Sequence, residues 1–219
     1  MQNLNSDGAV SVSRPACQLY LLSPPLVGPD FTDRLRAVAE ALPIAAFQLR
    51  LKGLDDHGAA RAGEPIRKLC ADLDIAFIVN DSIALAKRLG ADGVHLGQDD
   101  GDPREARDVL GRDAQIGVTC HNSRHLAMEA GDQGADYVAF GAFYPTDTKI
   151  IQHQADLEIL SWWSSMFELP CVAIGGITSD NAAPLISAGA DFIAVSSAIW
   201  SVTDGEVASA TAFRQLLAS

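Results

Sequence analysis

Apolar and polar positions along this chain follow two alternating periods. Short runs rich in β-branched and aromatic residues, bounded by turn formers, fall at residues 17–23, 45–52, 76–81, 93–98, 115–121, 137–143, 171–177 and 192–199. Between them the apolar positions take helical spacing, with Leu35, Val38, Ala39 and Leu42 after the first run and Ile66, Leu69 and Leu73 after the second. Later helices are expected from Ser82, Pro103, Ser123, Asp156, Ser179 and near Gly205, with Asp102 placed to cap the one that opens on Pro103. A weak repeat marks the joints. Gly90-Ala91-Asp92, Gly134-Ala135-Asp136 and Gly189-Ala190-Asp191 each stand where a helix gives way to a strand, and glycine there can take the left-handed conformation that stops a helix.

Strict β-then-α alternation implies a parallel sheet. Eight such units in about 200 residues imply that the sheet closes, so the expected fold is a single (β/α)₈ TIM barrel with a closed eight-stranded parallel sheet. A doubly wound open sheet is the alternative. The barrel domain is read as residues 15–219, and the polar segment 1–14 as a disordered tail.

Composition narrows the setting. Of the 219 residues 48% are hydrophobic and 20% charged, a globular balance, and no apolar run approaches the ~18–20 residues of a membrane helix. Met1 to Arg14 lacks a basic segment leading into an apolar one, so no secretory leader is read. Cys17, Cys70, Cys120 and Cys171 lie far apart with no Cys-x-x-Cys pair, which suits reduced core thiols in a cytoplasmic protein. A formal net charge of −12 speaks against nucleic acid and anionic membranes as partners. Small molecules remain. If these are phosphorylated, local cations, backbone N–H groups or a metal must overcome the global field.

Candidate chemistry sits at the strand ends. Gln48, Arg50 and Lys52 share one face of the second run, where a buried strand would ordinarily be apolar, so they read either as a solvated edge or as an anion-receiving lumen. Asn80-Asp81 closes the third run and Asp99-Asp100 follows the fourth. Asp81 and Asp100 suit a hard cation such as Mg²⁺, or else they cap the helices that follow. Thr146, Thr148 and Lys149 could grip a phosphate from the loop after the sixth run, which also reads as an ordinary turn. Gly175-Gly176 and Ser196-Ser197 end the seventh and eighth runs, where barrel enzymes often hold phosphate on backbone N–H groups. His95 and His121 are read as hydrogen-bonded structural residues in preference to zinc ligands.

Taken together, Gln48-Leu-Arg-Leu-Lys52, Asn80-Asp81, Gly93-Val-His-Leu-Gly-Gln-Asp-Asp100, Pro145-Thr-Asp-Thr-Lys149, Ile174-Gly-Gly-Ile177 and Ser196-Ser197 resemble the thiamine-phosphate synthase family, in order from about Cys17 to Ile199. The resemblance implies a catalytic barrel that joins a hydroxymethylpyrimidine diphosphate to a thiazole phosphate and releases pyrophosphate. It implies that Gln48, Arg50, Lys52, Asn80 and Lys149 hold the pyrimidine diphosphate and that Asp81 and Asp100 bind Mg²⁺. Thr146, Thr148, Gly176, Ser196 and Ser197 would hold the thiazole phosphate. Arg50, Lys52 and Lys149 would stabilise the departing anion. Thr119 stands where the family usually has serine and keeps the hydroxyl, with a catalytic and substrate-binding part implied. The chain departs from the pattern at Gly141-Ala142, where Gly-Pro is usual, and at residues 150–155. A thiazole tautomerase-like isomerase and a non-catalytic thiazole-phosphate-binding paralogue are the competing readings. A homo-oligomer is compatible with the sequence, which does not set the number of copies.

Overall fold

The computed structural model describes residues 15–145 and 154–218. The tail 1–14 and the candidate residues Thr146, Thr148 and Lys149 lie outside the described residues. Eight parallel strands close into a barrel in sequence order. They are β1 (Gln18–Leu22), β2 (Ala46–Leu49), β3 (Ala76–Asn80), β4 (Gly93–Leu96), β5 (Gln115–His121), β6 (Tyr137–Gly141), β7 (Cys171–Ile174) and β8 (Phe192–Val195). The helices are α1 (Phe31–Ala41), α2 (Asp56–Asp72), α3 (Ile83–Leu89), α4 (Pro103–Leu110), α5 (Arg124–Asp132), α6 (Leu157–Met166), α7 (Ala183–Ser187), α8 (Ser197–Trp200) and α9 (Glu206–Leu217).

The side-chain alternation of the strands sorts the core into two clusters. Leu19, Leu21, Phe47, Phe77, Val79, Val94 and Leu96 point outward into the helix layer, where α1 supplies Phe31, Leu35 and Val38 from one face. Tyr20, Leu22, Ile78, Tyr137, Ala139, Val172 and Ala194 form a smaller cluster inside the barrel. Local signals start the helices as expected. The side chains of Ser82, Asp102, Ser123 and Asp156 accept hydrogen bonds from the N–H groups of Leu85, Arg104, Leu126 and Glu158. One expectation shifts: the helix read from Ser179 begins at Ala183, because Asn181 Oδ1 accepts from Thr178 N (2.8 Å) and holds that stretch as a turn.

The Gly-Ala-Asp repeat does more than stop helices. Asp92 donates its N–H to Phe77 O (2.9 Å) while its carboxylate accepts from Phe77 N (2.7 Å). Asp136 makes the same pair with Ile116, both at 2.7 Å, and Asp191 with Cys171 at 3.0 and 2.8 Å. Each aspartate therefore clamps the start of one strand to the start of its predecessor, joining β3 to β4, β5 to β6 and β7 to β8. At this lower end the lumen is lined by Tyr20, Ala46, Ala76, Ile78, Tyr137 and Phe192 around a cavity of about 280 Å³. It lies at the N-terminal ends of the strands, opposite the end where barrels of this kind carry their chemistry.

Candidate functional site

Polar side chains at lumen-facing positions build a chain of hydrogen bonds through the barrel interior. Gln48 on β2 is almost fully buried, and its Nε2 donates to Tyr20 Oη on β1 (3.0 Å). Tyr20 Oη lies 2.8 Å from Tyr137 Oη on β6, which lies 3.1 Å from His95 Nδ1 on β4. His95 Nε2 lies 2.8 Å from Thr119 Oγ1 on β5. Asn80, the last residue of β3, pairs in register with His95. Burial pushes the Tyr20 hydroxyl up to about 12 and the Tyr137 hydroxyl well above its usual 10, so both phenols keep their protons. His95 is thus a hydrogen-bonded residue of the barrel interior.

The basic residues reach the rim differently from the strand pattern. β2 ends at Leu49, so Arg50 and Lys52 belong to the loop after it. The ladder stops there because Arg50 N turns to Ser23 Oγ (2.8 Å) and Lys52 N to Pro25 O (3.0 Å), binding this loop to the one after β1. Gln48 alone of the three lies within the strand itself. Arg50 is half-buried and Lys52 is exposed.

Neither candidate metal ligand caps a helix. Ser82 caps α3 and Asp102 caps α4. Asp81, exposed just past β3, holds a left-handed backbone with φ 65°, an uncommon state for a residue with a Cβ. Its N–H donates to His95 O (2.8 Å) across the β3–β4 seam. Asp100, also exposed, accepts from Gly97 N through Oδ2 (2.9 Å) and so folds the β4 loop back on itself. No cluster of three or more His, Cys, Asp or Glu side chains that could hold an ion occurs among the described residues. Two carboxylates on neighbouring strand ends fit Mg²⁺ all the same, since that ion commonly takes one or two carboxylates and completes its shell with water and phosphate oxygens. They do not fit a structural zinc, which requires four protein ligands.

The other half of the mouth is built from backbone. Gly176 sits at φ 64°, and a Cβ there would fall 2.3 Å from Pro145 O, so the β7 loop lies directly against the start of the β6 loop. Asn181 braces it, donating from Nδ2 to Gly176 O (3.0 Å), and Tyr144 Oη donates to Asn181 O (2.7 Å). After β8 the chain bends at Ser196 into the single turn of α8, with Ser197 exposed at its first position. Ser196 Oγ donates to Ser23 O (3.1 Å), and Trp200 Nε1 to Leu22 O (2.6 Å), tying this turn to the loop after β1. Tyr20, Tyr137 and Asn181 were not singled out from sequence. The two tyrosines carried a usable signal, a polar atom at lumen parity in a buried strand; Asn181 carried none beyond its turn-forming residue type.

Comparison with known proteins agrees with the fold and shows the family. Residues 19–199 match the family model described as thiamine monophosphate synthase. The thiamine-phosphate synthase of Erythrobacter litoralis is 62% identical over 206 residues, covering 92% of this chain and 96% of that one. That of Rhodospirillum centenum is 52% identical, covering 92% and 98%. The solved thiamine phosphate pyrophosphorylase of Pyrococcus furiosus superposes with a TM-score of 0.80 at 31% identity, covering 92% and 95%.

Proposed function

Because this chain belongs to the thiamine monophosphate synthase family, it is a transferase that forms thiamine phosphate, and we propose how its mouth divides that task. The isomerase and the non-catalytic binding protein are not favoured, since relatives matching over nine-tenths of the chain carry the synthase name.

In the proposed division, the pyrimidine diphosphate lies over β2 to β5 and the thiazole phosphate over β7 and β8. One observation carries it: Gln48, Asn80, Asp81, Asp100 and Thr119 stand at the upper ends of four consecutive strands as one polar arc. Asp81 and Asp100 would hold Mg²⁺, which when bound supplies positive charge beside the diphosphate. Arg50, Lys52 and Lys149 add cationic donors to the same leaving group. The C–O bond to the diphosphate breaks with both electrons leaving on pyrophosphate. The thiazole nitrogen then offers its lone pair to the pyrimidinylmethyl carbon, forming the C–N bond with no protein nucleophile. Gln48, Asn80 and Thr119 orient the pyrimidine so that its exocyclic carbon faces the thiazole, and orientation of this kind is worth several kcal/mol of barrier. Thr146, Thr148, Gly176, Ser196 and Ser197 would grip the thiazole phosphate, with the backbone at Gly176 able to approach an anion closely.

Four cysteines that form no disulfide among the described residues support placing the protein in the reducing cytoplasm. Among the described residues no helix is long and apolar enough to cross a membrane.

The test is pyrophosphate release from purified protein with both substrates and Mg²⁺. Asp81→Ala and Asp100→Ala are expected to abolish release while circular dichroism stays native. Unchanged metal dependence in both variants would show that the ion is held elsewhere.

A further inference from the structure

We propose that Tyr137 is a positioning residue for the pyrimidine half of the site: its phenol sets the direction of the lumen hydrogen bonds and holds His95 in the tautomer protonated on Nε2. This rests on the reading that the β2–β5 arc receives the pyrimidine diphosphate.

The direction follows from the one member of the chain that can only donate. Gln48 Nε2 gives a hydrogen to Tyr20 Oη, so the Tyr20 proton must travel onward. Among the described residues the Tyr20 hydroxyl has one other partner, Tyr137 Oη at 2.8 Å, which therefore accepts. The Tyr137 proton then points to His95 Nδ1 at 3.1 Å, and that nitrogen must present its lone pair. The imidazole carries its hydrogen on Nε2 and donates it to Thr119 Oγ1 at 2.8 Å. Thr119 is left with its own proton to offer toward the mouth. The opposite tautomer would make Tyr137 Oη accept from both neighbours and leave the Tyr137 proton without an acceptor among the described residues of a buried lumen, which such interiors avoid.

The surroundings of Tyr137 are built for this placement. It is the first residue of β6, deep in the barrel, so it acts through its neighbours and does not reach the substrate. Its ring stacks on His95, with centroids 5.6 Å apart at 26°, and meets Tyr20 edge-on at 5.9 Å. On the facing strand Gly117 makes the room: a Cβ there would fall 2.0 Å from Tyr137 Cζ and 2.4 Å from Oη. Glycine inside a buried strand gives up packing and stiffness, and the phenol fills the space it leaves. Both phenols stay protonated across the physiological range because burial raises them, so ionisation does not interrupt the chain.

Tyr137→Phe keeps the ring and removes only the hydroxyl. The imidazole ¹⁵N spectrum of substrate-free wild-type protein, assigned by comparison with a His95→Gln variant, is expected to show His95 as a single Nε2–H tautomer. In Tyr137→Phe it should become a mixture. In the same variant kcat/KM for the pyrimidine diphosphate should fall tenfold or more, while KM for the thiazole phosphate stays within twofold. A merely structural role would lower the unfolding midpoint without moving the tautomer or splitting the two substrates. A wild-type His95 protonated on Nδ1, or a tautomer unmoved by the substitution, overturns the proposal. A tautomer that shifts as expected, with the kinetic loss falling on thiazole phosphate, overturns instead the substrate assignment on which it rests.

Discussion

Replacing Asp81 by glycine should stabilise the protein and silence it, relative to replacing it by alanine, which should only silence it. Both substitutions delete the same carboxylate, so every lost side-chain interaction cancels in their difference. What remains is the backbone, held at φ 65°. Alanine keeps the left-handed penalty of about 1–2 kcal/mol, which glycine escapes. Glycine in turn adds unfolded-state entropy worth about 0.5–1 kcal/mol. The balance favours glycine by about 0.5–1 kcal/mol, and at about 2–4 °C per kcal/mol for a domain of this size the midpoint should differ by roughly 1–4 °C. The bond from residue 81 N to His95 O survives in both. Thermal unfolding of the two variants side by side supplies the comparison, with pyrophosphate release measured on the same samples. Turnover should fall on the order of a hundredfold or more in each, the scale of losing a group that acts on transition-state charge. A glycine variant no more stable than the alanine variant would show that the left-handed backbone stores no strain. Near-normal Mg²⁺-dependent turnover in either would remove Asp81 from the metal site. Both outcomes as expected would mean the strain is kept because the carboxylate is needed at that point.

Three further outcomes test the scaffold. Gly117→Ala forces a methyl onto the Tyr137 ring and should cost about 1–3 kcal/mol, read as a lower urea midpoint together with reduced turnover; an unchanged midpoint would mean the ring has room to move. Asp92→Ala takes the acceptor from Phe77 N and should cost about 1–3 kcal/mol, whereas a neutral result would show that the clamp between β3 and β4 is redundant. Burial raises the thiols of Cys17, Cys70 and Cys120 from 9.0 to about 12, so the unfolded chain releases these protons first as pH climbs and binds fewer of them than the folded one. Stability from this source is complete below about pH 9 and declines above it, visible as a urea midpoint lower at pH 10.5 than at pH 8; rapid alkylation of the folded protein at pH 8 would contradict the shift.

How far the sequence could be read depended on whether the deciding forces were local. Helix starts at Ser82, Pro103, Ser123 and Asp156 were legible because the caps that set them act within three residues. All eight strands were legible because a strand buried on both faces reads as a short apolar, β-branched run bounded by turn residues. Some C-terminal ends were drawn too long, at residue 52 for β2 and residue 199 for β8, since strand-like residues continue past the point where the backbone turns to other partners. Arg50 N leaves for Ser23, and Ser196 turns the chain into α8 although Ile199 still looks like strand. The rim of the site could be found because charge at a strand end is conspicuous. The tyrosine–histidine chain could not, because Tyr20 and Tyr137 meet only when strands 117 residues apart converge on one lumen.

A chain with a formal net charge of −12 is ill-suited to anionic substrates by its sum alone, yet three of its carboxylates stand far from the mouth. Asp92, Asp136 and Asp191 stand at the N-terminal ends of the strands, where each accepts a backbone N–H, and Asp136 also pairs with Arg107 at 2.6 Å. Arg50 and Lys52 stand past the other end. Four or five strand residues at about 3.3 Å each put roughly 13–17 Å between the two sets. That exceeds the Debye length of about 8 Å at physiological ionic strength, so carboxylates at the bottom are largely screened from a phosphate at the top. A diphosphate arriving at the mouth responds to the loop cations and to any ion held by Asp81 and Asp100. The acidic sum of the chain governs its solubility, and the few groups within one screening length of the mouth govern what it binds.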